Sequence, residues 1–167
     1  MAVDKNKAFV DYLLQCTQIK NSPLYFNFIN VKDNTTQIVT NSSDINISRP
    51  FVDGSIQKRY TYTIIMFKSI TDIPIAKVTT LGTSEILSNE NIDELADIQS
   101  LIDWISEQQD LHNYPDFGEH CLIDDISTTT DAPRLDGINS ELSPPMASYS
   151  IDIVIDYIDT SKVIWNK

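Results

Sequence analysis

The hydrophobic pattern is most regular near the end of the chain, where residues 146–158 alternate between apolar and polar side chains. A period of two is typical of an antiparallel strand with one face on the core and the other facing water. Only Val154 departs from this alternation. The residues predicted to face the core are Ala147, Tyr149, Ile151, Ile153, Ile155 and Tyr157.

Earlier segments predict further strands because they are rich in β-branched and aromatic side chains and are bounded by turn residues. The segment 57–68 becomes apolar on both faces toward its end, which indicates a central strand that is covered on both sides there. Asp53-Gly54 precedes this segment and favours the positive φ of a tight turn. The other predicted strands are 24–31, 35–40, 45–48 and 121–128.

Two segments have helical periodicity instead. Residues 4–18 place apolar side chains on one stripe, and Asp4 can cap the first turn. Residues 89–116 predict a second helix, which Ser88 or Asn89 can cap and which Pro115 ends. The apolar stripe of this second helix is Leu95, Ile98, Leu101, Ile102 and Ile105.

The order helix, strands, helix, strands predicts an α+β fold: a mostly antiparallel β-sheet with helices packed on one face. With 167 residues, the chain is expected to form a single domain over 1–167. Residues 69–87 and 129–145 are predicted to be long polar loops, and the first of them is compatible with a short hairpin.

Trp104 does not fit the pattern of the second helix. It lies well off the apolar stripe, on a side that carries carboxylates such as Glu107. A Trp in that position indicates that something covers it. Two explanations stay open: a strand or loop of the same chain, or contact with another subunit.

The net charge of −12 is unevenly distributed along the chain. Residues 1–83 contain 9 Lys+Arg and 6 Asp+Glu, a net charge of +3, whereas residues 84–167 contain 3 and 18, a net charge of −15. A chain this acidic is not expected to bind nucleic acid specifically. If the two halves stay apart in the fold, they favour head-to-tail association that closes a ring. If they mix, the acidic surface only keeps the protein soluble.

The sequence contains no recognisable catalytic or metal-binding motif. With 4 glycines it cannot supply a Gly-rich nucleotide loop, and it has neither G-x-S-x-G nor G-x-x-x-x-G-K. His112, His120 and Cys121 match no zinc spacing. Asp124 and Asp125 are neighbours in a predicted strand, so we expect them to point to opposite faces. We therefore expect a protein without cofactor or metal that acts through its surface and is not an enzyme.

The start of the chain and its cysteines bear on the compartment. MAVDKNKAFV has no apolar segment of the signal-peptide kind, and no apolar run reaches the roughly 18 residues of a membrane span. The 2 cysteines do not indicate a disulfide framework. We expect the chain to be made in a cytoplasm and to have no membrane partner.

Three segments carry a family resemblance: PFVDGSIQKRYTYTIIMF at 50–67, DIQSLIDWISEQQDLHNYPDFG at 97–118 and ASYSIDIVIDY at 147–157. As an ordered set they resemble the minor capsid or tail-terminator proteins of tailed bacteriophages that infect Gram-positive bacteria. The shared features are an aromatic-rich strand after a DGS turn, an acidic helix with an internal Trp and a Pro-Asp stop, and a closing strand that opens on A-x-Y.

The resemblance implies a virion structural protein made in the host bacterial cytoplasm. Subunits of this family are α+β proteins that form a ring, usually a hexamer, at the neck. The ring caps the tail tube, stops its growth and docks to the head-side connector protein. The resemblance brings no enzyme activity and no cofactor, and related head–tail joining proteins share similar sizes and surfaces.

Because Trp104 lies off the apolar stripe and the charge is unevenly distributed along the chain, we expect contacts between subunits at Lys58 and Arg59 on one side and at Trp104 and Glu107 on the other. The alternative is a monomeric intracellular protein-binding module, such as a phage accessory or immunity protein, whose acidic face binds a basic partner.

Overall fold

The computed structural model describes residues 3–41, 49–71, 76–78, 82, 84–86 and 90–163. Within these ranges the helices are α1 (Lys5–Leu13), α2 (Thr17–Lys20) and α3 (Glu90–Asp110). The strands are β1 (Leu24–Phe26), β2 (Thr35–Thr40), β3 (Arg49–Pro50), β4 (Ile56–Ser69), β5 (Ala76–Val78), β6 (Ser84–Ile86), β7 (Cys121–Thr128), β8 (Arg134–Asn139) and β9 (Met146–Asp159). The predicted strand at 45–48 and the predicted caps Ser88 and Asn89 lie outside the described residues.

A long antiparallel pair, β4 with β9, forms the centre of the main sheet. It stays in register over 14 residues of each strand, from Ile56 opposite Asp159 to Ser69 opposite Met146. β2 and β3 pair in tandem with the outer side of β4, and β7 and β8 do the same along β9. β1 is parallel to β2, so the sheet is mostly antiparallel, as predicted. β5 and β6 form a separate hairpin within the predicted loop 69–87.

The helices pack on one face of this sheet, and the α+β prediction is confirmed. Asp4 caps α1 as predicted, because its carboxylate accepts hydrogen bonds from the Asn6 and Lys7 amides. The predicted inward residues of β9 are buried in the same core as the α3 stripe. Leu95 is the exception in that stripe, since 37% of its surface is exposed.

Several predicted element boundaries were wrong. The helix expected over 4–18 breaks into α1 and α2 because Cys16 is extended, with ψ of 127°; both Cys16 and Ile19 are fully buried. α3 ends at Asp110 rather than near Pro115, and His112 has a left-handed φ of 53°. A left-handed residue just past the last turn is a common way for a helix to end.

The two polar segments and the first strand also differ from expectation. The predicted loop 129–145 contains β8, whose six residues are all exposed and which pairs with β9 through its backbone. β1 stops at Phe26 instead of continuing to Val31, because Asn27 has a left-handed φ of 49°. A non-glycine residue in that region interrupts a strand.

The face of the sheet that points away from the helices is more buried than the alternation in β9 predicted. Ser150 and Val154, which point away from the helices, are buried together with Gln37 of β2. The Asn30 carbonyl accepts hydrogen bonds from the Gln37 side chain and the Thr35 hydroxyl, at 3.0 and 2.9 Å. The segment that follows β1 therefore covers part of this face.

Candidate functional site

Some of the exposed apolar side chains lie near the two ends of the β4–β9 pair. We call the end near Ile56 and Asp159 the turn end, and the end near Ser69 and Met146 the loop end. The turn end carries Phe51 and Val52 between β3 and β4. Other large exposed apolar residues follow β1 or belong to β8 and its connection to β9: Phe28, Ile29, Val31, Leu135, Ile138 and Leu142.

The turn-end residues form a tightly bonded turn, which we call the Phe51–Val52 tip. The Phe51 amide donates to the Ser55 carbonyl, and the Asp53 carboxylate accepts from the Ser55 amide and hydroxyl at 2.9 and 2.6 Å. These bonds from Ser55 lower the pKa of Asp53. Gly54 has φ of +88°, and a Cβ there would lie 2.9 Å from the Lys162 carbonyl oxygen. The backbone therefore holds Val52, which is fully exposed, in a fixed position.

A groove with both apolar and polar lining residues lies at the loop end, and we call it the Val31–Ile138 groove. Its volume is about 220 Å³. Val31 and Ile138 are exposed, whereas Phe67 of β4 and Met146 of β9 are buried at its base. The remaining lining residues are Gly137, Asn139 and Ser148.

The tip and the groove of one subunit cannot meet. They lie at opposite ends of a strand pair of 14 residues, which spans roughly 45 Å at about 3.3 Å per residue. The tip therefore does not cover the groove of its own subunit.

The charged halves of the sequence stay apart in the sheet. β1 to β4 come from the first half of the chain, β7 to β9 come from the second, and the strand order places the two groups side by side. Among the described residues up to 71, exposed cations (Lys7, Lys20, Lys32, Arg49) balance exposed acids (Asp4, Asp11, Asp33, Asp53). Beyond residue 95, the exposed cations Arg134 and Lys162 are outnumbered by exposed acids. These acids are Asp97, Asp103, Glu107, Asp110, Asp116, Glu119, Asp124, Asp131, Asp136 and Glu141.

Lys58 and Arg59, predicted to contact another subunit, bind acids of their own chain. The Arg59 guanidinium makes two hydrogen bonds to Asp156, at 2.8 and 2.7 Å, across the β4–β9 pairing. The Lys58 ammonium donates to Asp159. That bond holds the pKa of Asp159 well below its usual range, with a further contribution from Ser161. These pairs join the two charged halves inside one subunit.

Trp104 and Glu107 are the two residues of α3 that were predicted to contact another subunit. The Trp104 ring is half-buried against the core, with its centroid 5.0 Å from that of Tyr12 in α1. The same chain therefore covers part of Trp104, through a helix rather than the expected strand or loop. Glu107 is exposed. The structure does not bring these two residues next to Lys58 and Arg59, and their contact with another subunit stays a prediction.

Lys5 is a polar feature that the sequence did not indicate. Its ammonium donates to the Tyr157 hydroxyl at 2.9 Å and lies 4.3 Å from the Tyr157 ring centroid, with Tyr60 and Phe117 also within 6 Å. Burial acts to lower the pKa of Lys5, but the interactions with Tyr157 raise it overall. This contact ties the start of α1 to the turn end of the sheet.

The side chains with metal-binding or catalytic chemistry are scattered over the described surface. No group of three or more His, Cys, Asp and Glu side chains in the described ranges is arranged to hold a metal ion. His120 lies beside Glu119, 3.4 Å away, and both are exposed. The β7 register shifts between Ile123 and Asp125, so the strict alternation expected for Asp124 and Asp125 is interrupted by a β-bulge.

The sequence contained a partial signal for the apolar surfaces. Phe51 and Val52 precede an Asp-Gly turn, where a large apolar side chain is expected to be exposed. The groove had no such signal, because Val31, Phe67, Ile138 and Met146 come together only through the sheet pairing.

No protein-family model matches this chain, and no curated protein matches it at a significant level. In the part of the chain that the structure describes, no helix is long and apolar enough to cross a membrane. The interpretation of function therefore depends on the surfaces described above and on the resemblance in the sequence.

Proposed function

We propose that this protein is a virion structural subunit of a tailed bacteriophage, a tail terminator or a closely related head-to-tail joining protein. Its subunits form a ring, expected to be a hexamer, at the top of the tail. The ring caps the tail-tube protein and docks to the head-side connector protein. In this function the protein works by assembly and carries out no reaction.

The observation that supports this proposal best is that strands from the near-neutral half of the chain lie beside strands from its strongly acidic half in one sheet. Two acidic halves repel each other, so contact between two acidic surfaces is disfavoured. Contact between unlike halves avoids that repulsion. It is heterologous, and repeated contacts of this kind close into a ring when the rotation between subunits allows it.

Exposed apolar side chains at both ends of the β4–β9 pair add to this argument. A monomer gains nothing from presenting Val52 and Phe51 on a rigid turn, whereas buried apolar anchors dominate the energy of subunit contacts. The resemblance of residues 50–67, 97–118 and 147–157 to tail-terminator proteins points to the neck as the place where such a ring acts.

The test of the neck function uses the tail-tube protein encoded in the same genome. We expect the gene for this chain to lie directly before the tail-tube gene. Purified chain added to polymerising tube protein should produce tubes of limited length with a ring at one end in electron micrographs. Tubes that grow to the same length without a ring, with and without the chain, would contradict the proposal.

A second candidate function follows from the acidic half alone. A monomer could use the exposed carboxylates of α3 and β7–β8 to bind a basic protein, as an accessory or immunity protein does. Sedimentation separates the two functions, because this candidate requires a stable monomer at high protein concentration.

A further inference from the structure

We propose that a polar cavity at the loop end of the sheet binds a carboxylate group, with Lys68 as the cation that receives it. The cavity lies between Ser22, Thr36, Lys68 and Asp97, and we call it the Lys68 cavity. The carboxylate belongs either to a small organic acid or to an acidic side chain of a partner protein, and the experiment below separates these two sources. This inference does not depend on the ring proposed above.

The cavity lies between the sheet and the two helices α2 and α3. Thr36 of β2 and Met66 of β4 are direct neighbours across the strand pairing, and Lys68 follows two residues later on the same face of β4. Ser22, just after α2, and Asp97 of α3 line the other sides. The volume of about 230 Å³ leaves room for a group of the size of an Asp or Glu side chain.

Lys68 is a charged residue that the fold holds almost entirely inside. Only 8% of its surface is exposed, a degree of burial that is rare for lysine. Its ammonium donates to the side-chain oxygen of Asn34 at 3.0 Å. The turn that carries Asn34 is anchored to the end of β4, because the Asp33 carboxylate accepts a hydrogen bond from the Ser69 amide at 2.7 Å. The ammonium therefore has a defined position in the lining of the cavity.

The chemistry of the lining favours a carboxylate with a short apolar stem. Lys68 supplies the positive charge, and Thr17 and Asn21 supply hydroxyl and carboxamide donors near it. Met66 gives an apolar contact for the methylene group next to a carboxylate. Asp97 lines the same cavity, so a doubly charged anion such as phosphate meets more repulsion there than a singly charged carboxylate does.

Asp97 is the internal competitor for this site. Its carboxylate oxygen lies 4.0 Å from the Lys68 ammonium, which is longer than a hydrogen bond. The Asp97 side chain is 68% exposed, so it can turn toward water at little cost when another carboxylate approaches Lys68. Removal of the Asp97 charge should therefore strengthen binding, whereas removal of the Lys68 charge should abolish it.

The test measures the affinity of two carboxylates by ligand-observed NMR at constant ionic strength, a method that serves for a monomer and a ring alike. The probes are acetate and N-acetyl-aspartate N-methylamide, which carries the acidic side chain as a protein does. Acetamide is the neutral counterpart of acetate and should not bind. Binding of acetate alone assigns the site to a small organic acid, whereas equal or tighter binding of the blocked aspartate assigns it to a partner's side chain.

Three variants localise the binding. We expect Lys68→Met to weaken the affinity for the bound probe more than about 10-fold and Asp97→Asn to strengthen it about 2- to 5-fold. Lys20→Met is the matched control, because Lys20 is an exposed cation at the end of α2 that does not line the cavity, and it should bind like the wild type. Asp97 is exposed, so Asp97→Asn keeps the test decisive if Lys68→Met fails to fold.

Several results would overturn the inference. A wild type that binds neither probe, or that binds phosphate more tightly than acetate, contradicts a carboxylate site. An affinity that is unchanged in folded Lys68→Met, or that falls in Asp97→Asn, places the binding elsewhere. None of these results depends on whether the chain forms a ring, so the proposed function is tested separately.

Discussion

Two ion pairs bridge the near-neutral and acidic halves of the chain across the β4–β9 pairing. Arg59 donates from Nε and Nη2 to the two carboxylate oxygens of Asp156, and the Lys58 ammonium donates to Asp159, so each pair spans the junction between β4 and β9. Charge-assisted hydrogen bonds of this kind are stronger than neutral ones and fix the register of the strands they join. Their role at this junction is to stabilise the subunit.

From the Lys58–Asp159 pair we predict how the free energy of unfolding depends on pH. Because the folded-state pKa of Asp159 is depressed, its stabilising effect is complete above the unfolded pKa of about 3.9 and is lost as the pH falls through the folded pKa. Asp159→Asn should lower the free energy of unfolding by about 1–2 kcal/mol at neutral pH. The difference from wild type should shrink below about pH 4.

Urea unfolding at neutral and acidic pH measures this effect. Glu141→Gln is the control, because Glu141 is exposed and its substitution should change the free energy of unfolding by less than about 0.5 kcal/mol. An Asp159→Asn difference that stays constant down to pH 3 would show that the carboxylate charge does not stabilise the fold.

The packing of Trp104 leads to a second prediction for a single residue. Its ring packs against Tyr12, so Trp104→Ala should lower the free energy of unfolding by about 2 kcal/mol, less than for a fully buried Trp. Glu107→Gln, one turn further along α3, should leave stability near the wild-type value. Denaturant unfolding of both variants checks this. Unchanged stability with loss of ring assembly in Trp104→Ala would instead place the Trp mainly in a subunit contact.

At the scale of elements, the β3–β4 turn packs closely against the Lys162 backbone through Gly54. Gly54→Ala adds a Cβ both at a positive φ and against the Lys162 carbonyl, whereas Gly82→Ala meets only the positive φ, with nothing within 4 Å. We expect Gly82→Ala to cost about 1 kcal/mol and Gly54→Ala to cost about 1–2 kcal/mol more. Thermal unfolding of the two variants compares them directly. Equal shifts in melting temperature would mean that the turn moves away from Lys162 without cost.

The elements that the sequence predicted best are those whose pattern is local. The limits of β2 and β7 agree with the predicted 35–40 and 121–128, because short β-branched runs between turn residues carry their own signal. β8 was missed because its six exposed residues have no buried face, and it forms only where β9 offers a free edge. The break between α1 and α2 was missed because Cys16 fits the helical stripe equally well.

The candidate surfaces were predicted less completely than the fold. Lys58 and Arg59 were predicted to be exposed cations, because nothing in the sequence shows that Asp159 and Asp156 lie beside them. Ile138 and Val31 line one groove although more than a hundred residues separate them along the chain. Long-range pairing of this kind depends on strand order and register, which periodicity alone does not determine.

For the whole molecule, strands from the near-neutral and acidic halves of the chain lie next to each other in one sheet, and exposed apolar side chains lie near both ends of the central strand pair. A sheet with unlike halves is suited to repeated head-to-tail contact, and a closed ring satisfies every such contact. The proposed function therefore requires self-association of the native chain.

Sedimentation velocity of the wild-type chain at near-neutral pH, with electron micrographs of the main species, tests this claim most directly. The account predicts one closed ring with a mass close to six times the 18.9 kDa subunit. A single species of 18.9 kDa at every protein concentration, with no ring in the micrographs, would contradict it.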